Sequence, residues 1–419
     1  MNDPSRQDLA FLRGMTGRRL GRRDALRLSG LSAAGLALAA CGVQGKSVAQ
    51  PTSSAQVESE VDKYWSGKTK NGHVDFVNWP LYMDPKLPEL KEFTERTGIT
   101  VNYKEAIQET TSWYAKIQPQ LAAGQSIGYD VMIVTNSVQL TQLIKLGYLV
   151  PLDHAQLPNF AKNVGERYKS QSFDPGNVFT VPYASGMTGI AYNPKYVDTP
   201  PTSYSALWDP KYKGKVGMMA DSQEIANFAM FLLGIDPAKS TQADWEKAAE
   251  KLKEQRDSGI VRKYYDQSYI DPLAKGDIWI TQAWSGDIFQ KNLSDGTDLK
   301  FVIPDEGATI WTDNFMIPKT AVNPVDAIMM IDFFYEPAIA ASLAEYINYV
   351  TPVPAAKDII VEKAAKATGE DKKTLDMIAG SPLVFPSEDD YAKLRTYVTF
   401  ANSEEHKKFE SVFQPITTS

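Results

Sequence analysis

Cysteine occurs once in 419 residues, at position 41. A single thiol allows no intrachain disulfide and no thiolate metal cage. Histidine is almost as scarce. His73, His154 and His406 stand far apart, with no H-E-x-x-H among them, the spacing that puts two imidazoles on one helix face. No G-x-S-x-G elbow and no G-x-G-x-x-G turn occurs. "QGKS" at 44–47 and "SGKT" at 66–69 end like phosphate loops, but Ala40 and Asp62 occupy the place of the leading glycine. The usual nucleophile, zinc and nucleotide signatures are missing, so we expect no catalysis, no cofactor and no bound metal. Past residue 40 no apolar run is long enough to span a bilayer, and no segment repeats.

Positive charge is concentrated at one end. Positions 1–40 hold seven arginines and three aspartates, a net of +4, and subtracting that from the formal −7 leaves −11 for the remainder. An acidic surface disfavours nucleic acid and anionic lipid and suits cationic partners. A hydrophobic share of 43% over about 350 ordered residues supports large cores and suggests two lobes.

The arginines from Arg13 to Arg27 crowd ahead of "LSGLSAAGLALAA" at 28–40. Thirteen residues reach about 20 Å as a helix, short of the roughly 30 Å hydrocarbon layer. A basic segment followed by a short apolar one is the layout of an export signal. "GRRDALRLSG", with Arg22–Arg23, resembles a twin-arginine signal, and an ordinary basic signal for the general route remains open. "LAAC" at 38–41 is similar to the bacterial lipoprotein box. That similarity implies lipidation of Cys41 and anchoring on the outer face of the cytoplasmic membrane. The small polar residues that follow suggest a flexible tether over 41–68.

From residue 73 the pattern changes. "HVDFVNW" alternates like a strand, and "DPKLPELKEFTERTG" reads as a helix with Leu87, Leu90 and Phe93 on one side and Gly98 as its stop. "ITVNYKE", "YDVMIVT" and "KVGMM" read as further strands, each followed by helical sequence. "FTVPYASGMTGIAYNP" at 179–194 has two alternating halves separated by Ser185 and Gly186, as expected of a strand passing between lobes. "ATIWTDNFMIP" reads as the return crossing. Residues 323–347 form a long apolar helical region, and charged helices follow.

Aromatic side chains recur beside acids or turns in "NWPLY" (78–82), "WSGD" (284–287) and "IWTD" (310–313), joined by Asp221 and Glu224 of "ADSQE". "NWPLY", "ADSQE" and "WSGD" each follow a predicted strand, and ligands of open α/β sheets bind beyond the carboxyl ends of strands. Structural readings compete. Asp221 and Glu224, three apart before an apolar helix, suit an N-cap with its capping-box partner. Trp284 and Trp311 suit a core, and Trp79 beside Pro80 suits a hydrophobic staple. Asp313, inside an apolar strand, is hardest to explain as structure, because a buried carboxylate needs a partner.

Taken in order from 73 to 357, "NWPLY", "YDVMIVT", "VPYASGMTGIAYN", "DPKYKGKVGMMADSQE", "WSGD", "EGATIWTDNFMIP" and "YVTPVPAA" resemble the polyamine-binding proteins of ABC importers, the spermidine/putrescine type of extracellular solute-binding protein. The resemblance implies an α/β, two-lobe periplasmic-binding-protein fold of type II, its ligand cleft between lobes joined by crossing strands. One lobe is expected over 69–183 and 309–348, the other over 184–308 and 349–419. The implied function is capture of putrescine or spermidine by a monomer, for delivery to permease subunits in the membrane, with no role for nucleic acid. Trp79 and Tyr82 match the family's first aromatic pair, Asp221 and Glu224 its acidic pair, and Trp284 with Asp287 its tryptophan–aspartate. Asp313 matches an acid that meets a terminal amine, with Trp311 in the same segment, and Tyr349 sits in the matching "Y-x-T-P". Thr135 keeps a hydroxyl where relatives carry serine, whereas Ser137 stands where some members have an aromatic. Carboxylates give each ammonium charge-assisted hydrogen bonds, and aromatic faces cover methylenes and attract cations. Three alternatives stand beside this. The scaffold holds another amino-bearing solute; it holds ferric iron through Tyr264–Tyr265, a pair like that of transferrin-like binding proteins; or the chain is an exported acid–base hydrolase using Asp221 and Glu224.

Overall fold

Strand–helix alternation begins where the sequence predicts it. The computed structural model describes residues 54–418 except 109, 266, 399, 401 and 402. The segment expected to be an export signal, and Cys41 with its expected lipidation, lie outside the described residues. β1 (His73–Asn78) leads to the helix Pro88–Thr97 and then to β2 (Thr100–Glu105). The helix buries Leu90 and Phe93 and stops at Gly98, whose φ of 72° a residue without Cβ adopts freely. Leu87 is not part of that helical face. It precedes Pro88, is therefore excluded from the right-handed helical region, and sits at φ 51°. β3 (Val131–Thr135) is followed by the helix Val138–Lys145, whose N-cap is Ser137. After β4 (Thr180–Tyr192) come β5 (Val216–Met219), the helix Ser222–Leu232, β6 (Val261–Tyr265), β7 (Ile280–Trp284) and the helix Ser285–Asp295. β8 (Lys300–Val302), β9 (Ala308–Met316) and the short β10 (Leu394–Arg395) complete the strands.

The strands form one sheet in the order β2-β1-β3-β9-β4-β7-β5-β6, with β8 added to β4 and β10 to β9. β2-β1-β3 and β7-β5-β6 are parallel blocks, as strand–helix–strand units require. Between them run β9 and β4, antiparallel to each other and buried along their whole length. This is the expected arrangement of two α/β blocks joined by crossing strands. β4 does not break at Ser185 and Gly186, however. It is continuous, and its register irregularity falls between Pro182 and Ala184. Ser185 exchanges backbone hydrogen bonds with Val350. Gly186 is demanded by packing, because a Cβ there would lie 2.2 Å from the Trp311 ring.

Three expectations are corrected by packing. The stretch 41–68 is not flexible throughout: Ser54–Trp65 is a helix, and the buried Trp65 donates its indole N–H to the Pro151 carbonyl at 2.8 Å. Residues 349–419 do not all join the second lobe. Tyr349, Val353, Ile360, Ile378 and Val384 pack in the core with Phe76 and Val131 of the first block, and only the end of the chain, including Phe409 and Phe413, packs with Val216 and Ile225 of the second. The amphipathic pattern of a helix marks which face it buries and says nothing about which core receives it. The apolar region 323–347 is two helices, Pro324–Phe333 and Pro337–Ile347, bent by 80°. Pro337 starts the second helix at the position where its missing N–H is not needed. Among the described residues no single helix is long and apolar enough to cross a membrane.

Candidate functional site

Four parallel-block strands end on residues already singled out. β1 ends at Asn78 before Trp79 and Tyr82, β3 ends at Thr135, β5 ends just before Asp221, and β7 ends at Trp284. Carboxyl ends of strands are where backbone leaves the sheet and side chains become available to a ligand. The sheet register completes the grouping. Thr135 pairs with Asp313 across β3 and β9, Thr188 with Trp284 across β4 and β7, and Gly186 with Trp311 across β4 and β9. Directly opposed residues of antiparallel strands project to the same face.

Asp313 is buried and held by hydroxyls alone. Tyr82 donates to its Oδ2 at 2.6 Å and Thr135 to its Oδ1 at 2.5 Å. The Tyr82 ring meets Tyr349 edge-on at 5.7 Å, and Tyr349 lies 5.3 Å from Trp311. Tyr349 donates its hydroxyl to Asp287 Oδ1 at 3.4 Å, a long contact. Asp287 Oδ2 accepts a better bond from Tyr269 at 2.8 Å, and the same phenol oxygen accepts the backbone N–H of Trp284 at 2.9 Å. The Trp284 indole N–H then donates to Glu224 Oε1 at 3.0 Å, an oxygen also approached by Thr188 (2.9 Å) and Tyr397 (2.6 Å). A continuous set of contacts thus runs from Asp313 to Glu224.

These three acids differ from the structural acids of the fold. Asp130 accepts backbone N–H bonds from Asp75, Val322 and Asn323; Asp326 accepts them from Asn71 and Gly72; Asp332 accepts them from Asn159 and Phe160. Such acids fasten loops and helix starts. Asp313, Asp287 and Glu224 instead face side-chain hydroxyls and an indole, with no lysine or arginine among the groups acting on them. Burial pushes Glu224 up to about 7, aided by the nearby Asp221 carboxylate, and pushes Asp287 and Asp313 each up to about 6; the hydroxyl and indole donors offset part of the rise. Glu224 Oε2 and Trp311 Nε1 are buried without a hydrogen-bond partner among the described residues, a costly condition.

Not every expected residue joins the set. Asp221 is exposed and its Oδ1 accepts the Glu224 N–H at 3.0 Å, so it is the N-cap of Ser222–Leu232. Trp79 donates its indole N–H to the Ile133 carbonyl at 3.2 Å and packs between two core clusters. Tyr264 and Tyr265 are adjacent on β6 and join different cores. Strand side chains alternate in direction, so the pair cannot close on one iron ion. Sequence reasoning missed Thr188, Tyr269 and Tyr397. Thr188 lies in "MTGIAY", inside a strand the sequence predicts, but its pairing with Trp284 is set by sheet register; Tyr269 and Tyr397 sit in segments with no strand-end signature.

Gly286 shows how tightly the site is built. A Cβ there would lie 2.4 Å from the Tyr349 ring. Gly286→Ala is expected to displace that ring from Asp287 and to cost about 1–3 kcal/mol of stability by overpacking, read as a lowered denaturation midpoint with unchanged slope.

Comparison with known proteins agrees with this architecture. Residues 90–372 match the family described as bacterial extracellular solute-binding protein. The spermidine/putrescine-binding periplasmic protein of Salmonella typhimurium is 30% identical over 296 residues, 70% of this chain and 82% of that protein. The putrescine/agmatine-binding protein of Pseudomonas aeruginosa is 30% identical over 321 residues, 72% of this chain and 83% of that protein. Among solved structures, a spermidine/putrescine ABC transporter substrate-binding protein from Streptococcus pneumoniae superimposes with a TM-score of 0.69 at 27% identity, covering 83% of this chain and 98% of that one. Two α/β blocks, crossing strands and a site at the strand ends are the type II binding-protein fold, and the chain belongs to the bacterial extracellular solute-binding proteins.

Proposed function

We propose that the protein is the solute-binding component of an ABC importer, that it captures putrescine or spermidine outside the cytoplasmic membrane, and that it performs no catalysis. The observation that carries this reading is the set Asp313, Asp287 and Glu224. Three largely buried carboxylates meet no cationic side chain among the described residues and are interleaved with Tyr82, Tyr349, Trp311 and Trp284. An ammonium supplies the missing charge, and aromatic faces cover the methylenes between ammonium groups. Carboxylates enclosed without a counter-charge are costly, so closure of the two blocks is favoured once the ligand is present. Asp221 contributes at one remove, through its charge and its cap beneath Glu224, and Trp79 by backing the strand end. Export through the arginine-rich signal, lipid anchoring at Cys41 and delivery to permease subunits as a monomer complete the proposal.

Calorimetric titration with putrescine, cadaverine, spermidine and an amino acid tests it. Roughly micromolar affinity, about −8 kcal/mol, is expected for at least one diamine or triamine. Because Trp311 Nε1 has no acceptor among the described residues and a polyamine has none to offer, tighter binding of the amino acid would instead assign a solute carrying both an amine and a carboxylate. Heat from neither class would end the amine reading.

A further inference from the structure

We infer that Tyr397 is a positioning residue of the site: delivered by a C-terminal segment anchored in both blocks, its phenol fixes the orientation and ionisation of Glu224. The inference rests on the amine-binding reading above. The segment can be followed residue by residue. Tyr391 lies under the Arg167 guanidinium at 3.8 Å, and Leu394–Arg395 pair with Ala308–Thr309 of β9. Tyr397 then packs against the core that contains Trp311 and Tyr349, while Val398 and Phe400 enter the core built on Ser222–Leu232. Tyr397 therefore stands where the two cores meet.

Its hydroxyl donates to Glu224 Oε1 at 2.6 Å, the shortest of the three bonds on that oxygen. Three donors from three elements, β4, β7 and the C-terminal segment, turn the carboxylate so that Oε1 is saturated. Among the described residues Oε2 is left buried with no partner, and it is the oxygen available to an ammonium. The titratable groups facing Glu224 are Asp221 on its own helix, the Tyr204 phenol and Tyr397. Asp221 disfavours the anion, and the Tyr397 hydroxyl favours it by donating to the charged form.

Tyr397→Phe keeps the ring and removes the donor. Putrescine affinity, followed by calorimetry from pH 5.5 to 9, is expected to fall about fivefold at pH 7 and about tenfold at pH 6 and below, and the midpoint of the affinity–pH curve to move up by about one unit, since below the midpoint one unit of pKa is a tenfold change in the ionised fraction. At pH 9, where Glu224 ionises with or without the phenol, the variant should return to within about twofold of the unaltered protein. Tyr391→Phe, on the same segment against Arg167, is expected to leave the curve in place. A Tyr397→Phe curve that overlays the unaltered one overturns the assignment, as does an equal loss at every pH, which marks a packing defect. If the unaltered protein binds no amine, the amine reading is lost and this assignment with it; normal amine binding with an unmoved Tyr397→Phe curve defeats the assignment alone.

Discussion

Asp313→Ala is expected to weaken putrescine or spermidine binding by about 2–5 kcal/mol, roughly thirty- to several-thousand-fold. The size of the effect follows from what surrounds the carboxylate. Asp313 is 4% exposed and its two oxygens accept one hydroxyl each, from Tyr82 and Thr135. Removing it strands both hydroxyls and leaves one ammonium without a counter-charge in a site of low polarity. Asp313→Asn separates charge from shape, since the amide keeps an acceptor for one hydroxyl but cannot neutralise the ligand, and most of the loss should persist. Asp287→Ala is expected to behave alike, with Tyr269 and Tyr349 losing their acceptor. Calorimetry on purified variants reads the result, and unchanged affinity in both alanine variants would refute the assignment of these acids. The asparagine variant should not destabilise the ligand-free protein, because an acid whose burial opposes ionisation is a cost to the empty fold.

The second large effect is an opposition between affinity and stability as pH changes. Glu224 is raised to about 7, and Asp287 and Asp313 to about 6 each. An ammonium ligand requires the ionised forms. At pH 5 Glu224 lies two units below its midpoint and each aspartate one unit below, so affinity should fall by about four powers of ten between pH 8 and pH 5. Stability of the empty protein runs the other way. These carboxyls have folded-state values above their unfolded ones, so the folded state holds more protons across the window from about 4 to about 7. Their contribution to stability is fully present below the unfolded values near 4 and is lost as pH rises through 6 and 7. Thermal unfolding without ligand should therefore show these acids stabilising the fold as pH drops from 8 toward 5, while added putrescine stabilises most at pH 8. Binding near pH 6.5 should also release protons, visible as a heat that varies with the buffer's ionisation enthalpy. An affinity that stays flat from pH 8 to pH 5 would show that these acids do not meet the ligand's charge.

Much of the fold was legible because local rules carried it. Gly98, Pro88, the alternation of "HVDFVN" and the continuous apolar run "VMIVT" mark elements whose boundaries follow from chain stereochemistry. The crossing strands were legible as apolar stretches. The expected break at Ser185–Gly186 was not found, since small residues there answer to Val350 and the Trp311 ring rather than to a change of direction. Of the candidate site, the acids and rings at strand ends were recognisable from their placement and family match. Asp221 turned out to obey the commoner rule, a helix cap. Tyr269 and Tyr397 reach Asp287 and Glu224 from 18 and 173 residues away, and no periodicity connects such positions.

The sequence by itself determined an acidic chain with a basic first segment and one cysteine, an α/β pattern of strands and helices, the presence of Asp287 and Glu224 just past the ends of strands, and that of Asp313 inside one. Only the tertiary structure decided which core each C-terminal helix joins, that adjacent Tyr264 and Tyr265 diverge, and which phenol serves which carboxylate. Composition and local periodicity act through neighbours in the chain, whereas a hydrogen bond to a buried acid is settled by sheet register and core packing between segments far apart.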